Sequence, residues 1–80
     1  MRLDKYLKVT RLIKRRTVAN DACDAGKISV NGVVARASYN VKPDDIIRIM
    51  MGNKDLSVKV LEVNEFTSKD DASQNYEVIE

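Results

Sequence analysis

The chain has 80 residues, 44% of them hydrophobic and 32% charged, enough for one small core and too short for a second. It contains no His, three Gly and one Cys, which excludes imidazole catalysis, His metal sites, glycine-rich phosphate loops and an internal disulfide. The formal charge of +2 conceals a polarised chain, with ten basic and three acidic side chains in residues 1–42 (net +7) and four basic and nine acidic in residues 43–80 (net −5).

In chain order, MRLDKYLKVTRL reads as an amphipathic helix. Leu3, Tyr6, Leu7 and Thr10 follow the i, i+3, i+4, i+7 pattern of one apolar face, and Asp4 suits the positive end of the helix dipole. Cations recur every third residue, at Arg2, Lys5, Lys8, Arg11 and Lys14. Each step of three falls about 60° short of a full turn, so one straight helix would carry Lys14 into the apolar face and Leu12 onto the charged one. The first helix is therefore expected to end between Val9 and Leu12 and the chain to turn. A second helix is expected to start near Arg16 or Thr17, with Thr17 as its N-cap and Asn20 and Asp21 in its first turn. Val18, Ala19, Ala22 and Cys23 form a small-residue stripe, and Gly26 falls where a left-handed cap belongs.

From Lys27 the period changes to two. Ile28 and Val30 lead into Asn31-Gly32 and then Val33-Val34, the strongest short-range hairpin signal. Lys42-Pro43-Asp44-Asp45 reads as a turn, Ile46–Met50 as a strand, Gly52-Asn53 as a turn, and Leu56, Val58 and Val60 as alternate residues of another strand. Residues 68–75 are polar and read as a loop or short helical turn, and Tyr76–Ile79 as a last strand. The expected fold is α+β, with two or three short N-terminal helices packed on a small, mainly antiparallel sheet.

Seven cations fall between Arg2 and Arg16, opposed only by Asp4. Such density suits phosphate, because each neutralised phosphate releases condensed counterion. Arg15 and Arg16 add fork-shaped donors beside the free N–H groups of a helix start. Lys27 and Arg36 flank the hairpin and extend the same surface. Aromatic residues are scattered, which argues against a single-strand stacking platform and for structured RNA read by backbone and shape. Tyr6 and Cys23 read as core, and Asn31-Gly32 as turn chemistry. Asp44 and Asp45 read as turn and strand-capping residues; no catalytic, cofactor or metal site is assigned.

The ordered set Arg2-Leu3-Asp4, Leu7, Arg15-Arg16-x-x-Ala19, Gly26-Lys27-Ile28-x-Val30-Asn31-Gly32 and Val41-Lys42-Pro43-Asp44-Asp45 resembles the S-four RNA-binding domain, with its alpha-L motif. Arg15 stands where many members carry Ser. The resemblance covers residues 1–50 as the RNA-binding domain, leaving 51–80 as a C-terminal strand and acidic tail extending it. Within the family, the chain is similar to the RqcP-type factors of bacterial ribosome-associated quality control, relatives of heat-shock protein fifteen. That similarity implies a non-enzymatic, cytoplasmic, monomeric protein that binds large ribosomal subunits obstructed by peptidyl-tRNA. It further implies contacts to large-subunit rRNA and tRNA, stabilisation of P-site tRNA, and support of C-terminal alanine tailing with an RqcH-type factor. The RNA-binding residues expected are Arg2, Lys5, Lys8, Arg11, Lys14, Arg15, Arg16, Lys27 and Arg36, with Arg2 and Arg16 foremost.

Rival expectations are a rescue factor that relocates stalled tRNA, like heat-shock protein fifteen, and an adaptor whose acidic half contacts protein. A fragment of a pseudouridine synthase is a further rival, disfavoured because the sequence offers no catalytic constellation. No apolar run approaches the roughly 18 residues of a membrane span, no signal peptide is read, and the lone Cys23 suits a reducing compartment.

Overall fold

In a computed structural model, which describes residues 1–64 and 75–79, two helices precede a five-stranded sheet. The helices are α1 (Leu3–Val9) and α2 (Arg16–Asp24). The strands are β1 (Ile28–Val30), β2 (Val33–Val34), β3 (Ile46–Met51), β4 (Lys54–Val60) and β5 (Tyr76–Val78), in spatial order β2-β1-β3-β4-β5. Every neighbouring pair is antiparallel, as the expected α+β class requires. The expectation for residues 68–74 lies outside the described residues.

The turn after α1 falls where the cation spacing places it. Thr10 ends the helix, with its hydroxyl donating to the Tyr6 carbonyl at 2.7 Å, and Arg11 enters the left-handed region at φ +62. Leu12 and Ile13 then turn inward and are buried, while Arg11, Lys14 and Arg15 stay exposed. The expected conflict between the charged and apolar stripes is resolved by this non-helical segment. Thr17 is not the N-cap. Arg15 is, extended at φ −125 and ψ 137 with no side-chain cap, so the cap lies two residues earlier and Thr17 lies inside the helix. At the other end, Lys27 N–H donates to the Ala22 carbonyl and Gly26 N–H to Cys23, both at 3.0 Å. With Gly26 at φ +75, this is a Schellman cap. Ala19, Ala22 and Cys23 of the small-residue stripe are buried, and Val18 is not.

Asn31 (φ 53) and Gly32 (φ 84) form the two-residue primed turn expected of Asn-Gly. Alternation along the paired strands sends Ile28, Val30, Ile47, Ile49, Val58 and Val60 to one buried face, packed with Leu3, Tyr6 and Leu7 of α1. Ser29, Arg48 and Ser57 share the opposite face in register. In the Pro43 turn, Asp44 takes the positive φ of 75 and Asp45 N–H donates to the Lys42 carbonyl at 3.2 Å. The buried Asp45 carboxylate accepts from Lys42 N–H (2.9 Å), the Tyr39 hydroxyl (2.8 Å) and Asn31 Nδ2 (3.1 Å), tying this turn to the hairpin.

The last strand is locked to the first helix. The buried Tyr6 hydroxyl donates to the Asn75 carbonyl at 2.8 Å, and that carbonyl also accepts from Leu61 N–H at 2.9 Å. A net hydrogen bond contributes about 1 kcal/mol, and 1 kcal/mol shifts the melting temperature of a domain this size by roughly 4–8 °C. Tyr6→Phe is therefore expected to lower the melting temperature by about that amount in a circular-dichroism melt. An unchanged midpoint would show that the tyrosine ring alone, and not its hydroxyl, secures the C-terminal strand.

Candidate nucleic-acid interface

The first turn of α1 is held by the chain that returns from the hairpin. Leu3 N–H donates to the Tyr39 carbonyl (2.8 Å) and Asp4 N–H to the Ala37 carbonyl (3.1 Å), satisfying donors that a helix start leaves open. Arg2 bridges to Asn40, and the terminal ammonium of Met1 donates to Asn40 Oδ1 at 2.7 Å. The start of α1 is thus closed by protein. Among the described residues, the N–H groups of Arg16, Thr17 and Val18 in the first turn of α2 have neither a side-chain cap nor a backbone carbonyl of another segment as partner, as expected there.

Asp4 is the centre of the site. Its side chain is only 3% exposed. Arg2 Nε reaches Oδ1 at 3.2 Å and Arg2 Nη2 reaches Oδ2 at 3.3 Å. Arg16 Nε lies 3.3 Å from Oδ2, Asn20 Nδ2 donates to Oδ2 at 3.3 Å, and Lys5 N–H donates to Oδ1 at 2.8 Å. Burial pushes the carboxyl pKa up, but the Arg2, Arg16, Asn20 and Lys5 donors outweigh it and hold Asp4 below its ordinary 3.8. One carboxylate therefore joins the start of α1 to the start of α2 and fixes two guanidinium groups that remain about half exposed, at 51% and 47%.

Two grooves adjoin this cluster. One is lined by Asp4, Arg16, Thr17, Asn20 and Asp21. The other, of about 520 Å³, runs between α2 and the 34–38 segment, with Arg2, Asn20, Asp24 and Arg36 on its walls. Asn20 lines both grooves, so Arg2 and Arg36 on one and Arg16 on the other border adjoining surface, with Asp24 and Asp21 among their linings. Arg11, Lys14 and Arg15 lie exposed in the segment between the helices, just before α2. Lys5 and Lys8 belong to α1 and are not among the residues that line the two grooves. Lys27 follows the far end of α2, separated from Arg16 by the helix length of roughly 13 Å. Cys23 is buried, and its thiol is pushed up to about 11, first by burial and then by the Asp4 and Asp24 charges, so it is no nucleophile at neutral pH.

This arrangement, two arginines from two helix starts locked on one buried acid, stands in a chain with strong relatives. The S4 domain matches residues 1–47. A protein named RQC P-site tRNA stabilizing factor from Streptococcus pneumoniae is 56% identical over 79 residues, 99% of this chain and 90% of its own length. The chain belongs to the S4-domain family of RQC P-site tRNA stabilizing factors. A factor of the same name from Bacillus subtilis is 48% identical, over 99% of this chain and 92% of its own. Among solved structures, trimeric heat shock protein 15 from Vibrio cholerae superposes with a TM-score of 0.90 at 26% identity, covering 98% of this chain and 80% of that one. Membership in this S4 family accounts for the fold; the Asp4 cluster shows how the fold arranges its cations.

Sequence reasoning placed Asp4 at a helix dipole and missed its larger part, together with that of Asn20. The available signal was the isolation of a single acid among seven cations, since a lone carboxylate in such a field is a natural organiser. Asp4 and Asp45 both titrate below their ordinary 3.8, despite burial, because hydrogen bonds and cations favour the charged form. Their stabilising contribution is complete above 3.8 and is lost as pH falls through the lower folded values, where protons bind the unfolded chain more readily. Urea unfolding across pH 2.5–7 is expected to give a plateau down to about pH 4 and a fall below it. Asp4→Asn should reduce the plateau by about 2 kcal/mol and shallow the acid limb. Identical acid limbs for the variant and the unaltered protein would contradict the ion cluster.

Proposed function

We propose that the chain is a non-enzymatic RNA-binding factor of ribosome-associated quality control. It engages large ribosomal subunits obstructed by peptidyl-tRNA and stabilises the P-site tRNA. The observation that carries this reading is the Asp4-locked Arg2–Arg16 pair on a chain whose near-full-length relatives bear the P-site tRNA stabilizing name. A buried carboxylate holds the two guanidinium groups in place before RNA arrives, which reduces the ordering cost of binding. Their remaining donors suit phosphate, which positions a protein without reading sequence.

Arg2 and Arg16 are the principal contacts in this reading. Arg11, Lys14 and Arg15 support them from the loop, and Arg36 from the second groove. Lys5, Lys8 and Lys27 contribute longer-range attraction. Residues 1–50 act as the RNA-binding domain and 51–80 as its extension. Contacts to both large-subunit rRNA and tRNA let one small cationic face clamp a composite site, and support of alanine tailing by an RqcH-type factor follows from a tRNA held in place. The protein acts as a cytoplasmic monomer. Tailing is preferred to tRNA relocation because factors carrying the P-site stabilizing name align over nearly all of this chain.

Arg2→Ala and Arg16→Ala are expected to abolish co-sedimentation with peptidyl-tRNA-bearing large subunits while leaving the circular-dichroism spectrum unchanged. Wild-type co-migration of Arg16→Glu would sink the assignment. About five phosphate contacts give a log–log salt slope of roughly −3.5 to −4.5 for the affinity, and a flat response would contradict electrostatic clamping.

A further inference from the structure

The hairpin carries a feature that phosphate contacts leave unused. Val33 and Val34 at its tip are 69% and 60% exposed, the highest values among the large apolar residues described. They wall a third, smaller groove of about 260 Å³ with Val30, Ala35 and Tyr39, and Arg36 and Ser38 complete its lining. Val34, Ala35, Arg36 and Ser38 also line the cationic groove that contains Arg2. An apolar groove and a cationic one therefore share a wall, with Arg36 belonging to both.

We propose that this smaller groove is a nucleobase subsite of the same RNA surface, taking one unpaired, unstacked base while its phosphate lies in the Arg2–Arg36 groove. A nucleotide is the ligand that joins an anion to a flat, weakly polar ring within one short unit, and the two adjoining grooves match those two parts. The volume lies below the roughly 300–1,000 Å³ of sites for drug-sized ligands and suits a single ring system. The Tyr39 hydroxyl donates to Asp45 at 2.8 Å, which fixes that wall in advance. The Arg36 guanidinium has no ion pair among the described residues, so its plane is available to stack on a base as well as to pair with phosphate. Asp24 faces the cationic groove and limits where the phosphate can sit, favouring the Arg2 and Arg36 end. This subsite rests on the RNA-binding reading and adds a preference for a bulged or looped nucleotide to it.

The test is fluorescence anisotropy with two labelled RNA hairpins, one fully paired and one bearing a single bulged nucleotide, alongside ribosome co-sedimentation. The unaltered protein is expected to bind the bulged hairpin about tenfold more tightly, in the range of one base contact. Val33→Ser combined with Val34→Ser should erase that preference, so that the bulged and the paired hairpin bind this variant with affinities within about twofold of each other. Both positions are solvent-exposed, and an unchanged thermal melt verifies the fold. Arg16→Glu should weaken binding to both hairpins. No preference in the unaltered protein, or a preference that survives the double serine change, overturns the subsite while the Arg16→Glu loss still upholds the RNA face. Unchanged binding by Arg16→Glu overturns the RNA face itself. Loss of ribosome association by the serine variant with its bulge preference intact assigns the valines to a protein partner and also overturns the subsite.

Discussion

A buried carboxylate must be surrounded by donors or it will not stay charged, and Asp4 meets that requirement by drawing on both helices. Arg2 supplies two contacts from the entry to α1, Arg16 and Asn20 supply two from α2, and Lys5 N–H supplies one from the helix that carries Asp4 itself. The packing of α1 on α2 and the position of both guanidinium groups are therefore set by one interaction. Removing the acid would leave two cations repelling each other at the junction. With it, they sit side by side without the collective repulsion that seven cations would otherwise impose on so short a segment.

The rest of the fold keeps this junction in place. Carbonyls of Ala37 and Tyr39 hold the first turn of α1, the Asp45 network holds Tyr39, and the Asn31 turn joins that network to the sheet. Tyr6 reaches from α1 to the C-terminal strand. The charge polarity of the sequence has a structural counterpart in these connections. In the second half, Arg48 pairs with Asp55 at 2.9 Å and Lys59 with Asp44 at 3.7 Å, so those cations meet local acids. In the first half, Arg2 and Arg16 share one acid, and Arg36 has none among the described residues. The surplus of positive charge is thus concentrated around the α1–α2 junction and the hairpin groove.

Much of this was legible in the residues. The three-residue cation spacing required a break after α1, and Leu12 and Ile13 turning inward show why: their burial is incompatible with continuing the helix. Asn31-Gly32 and Gly26 were readable because positive φ restricts the residues a chain can place there. The N-cap of α2 was misplaced at Thr17 because capping preference is a local argument, whereas α2 starts from an extended Arg15 without any side-chain cap. Asp4 was seen as a helix-end acid and not as a hub, since its partners Arg16 and Asn20 come from the next helix and no local pattern joins them. The shared wall of the two grooves was equally hidden: Val34 and Arg36 are neighbours in sequence, but Arg2 and Cys23 reach the same groove only through tertiary packing.

The most direct test of the central claim, that the Asp4-centred junction is the face that meets RNA, is site-specific photocrosslinking on isolated large subunits bearing peptidyl-tRNA. A photoreactive residue at Thr17, which lines the groove with Arg16 and Asp4, is compared with one at Ser57, paired with Arg48 on the opposite face of the sheet. The account predicts crosslinks from position 17 to both tRNA and large-subunit rRNA, with none from position 57. Crosslinks to RNA from position 57 and none from position 17 would contradict it.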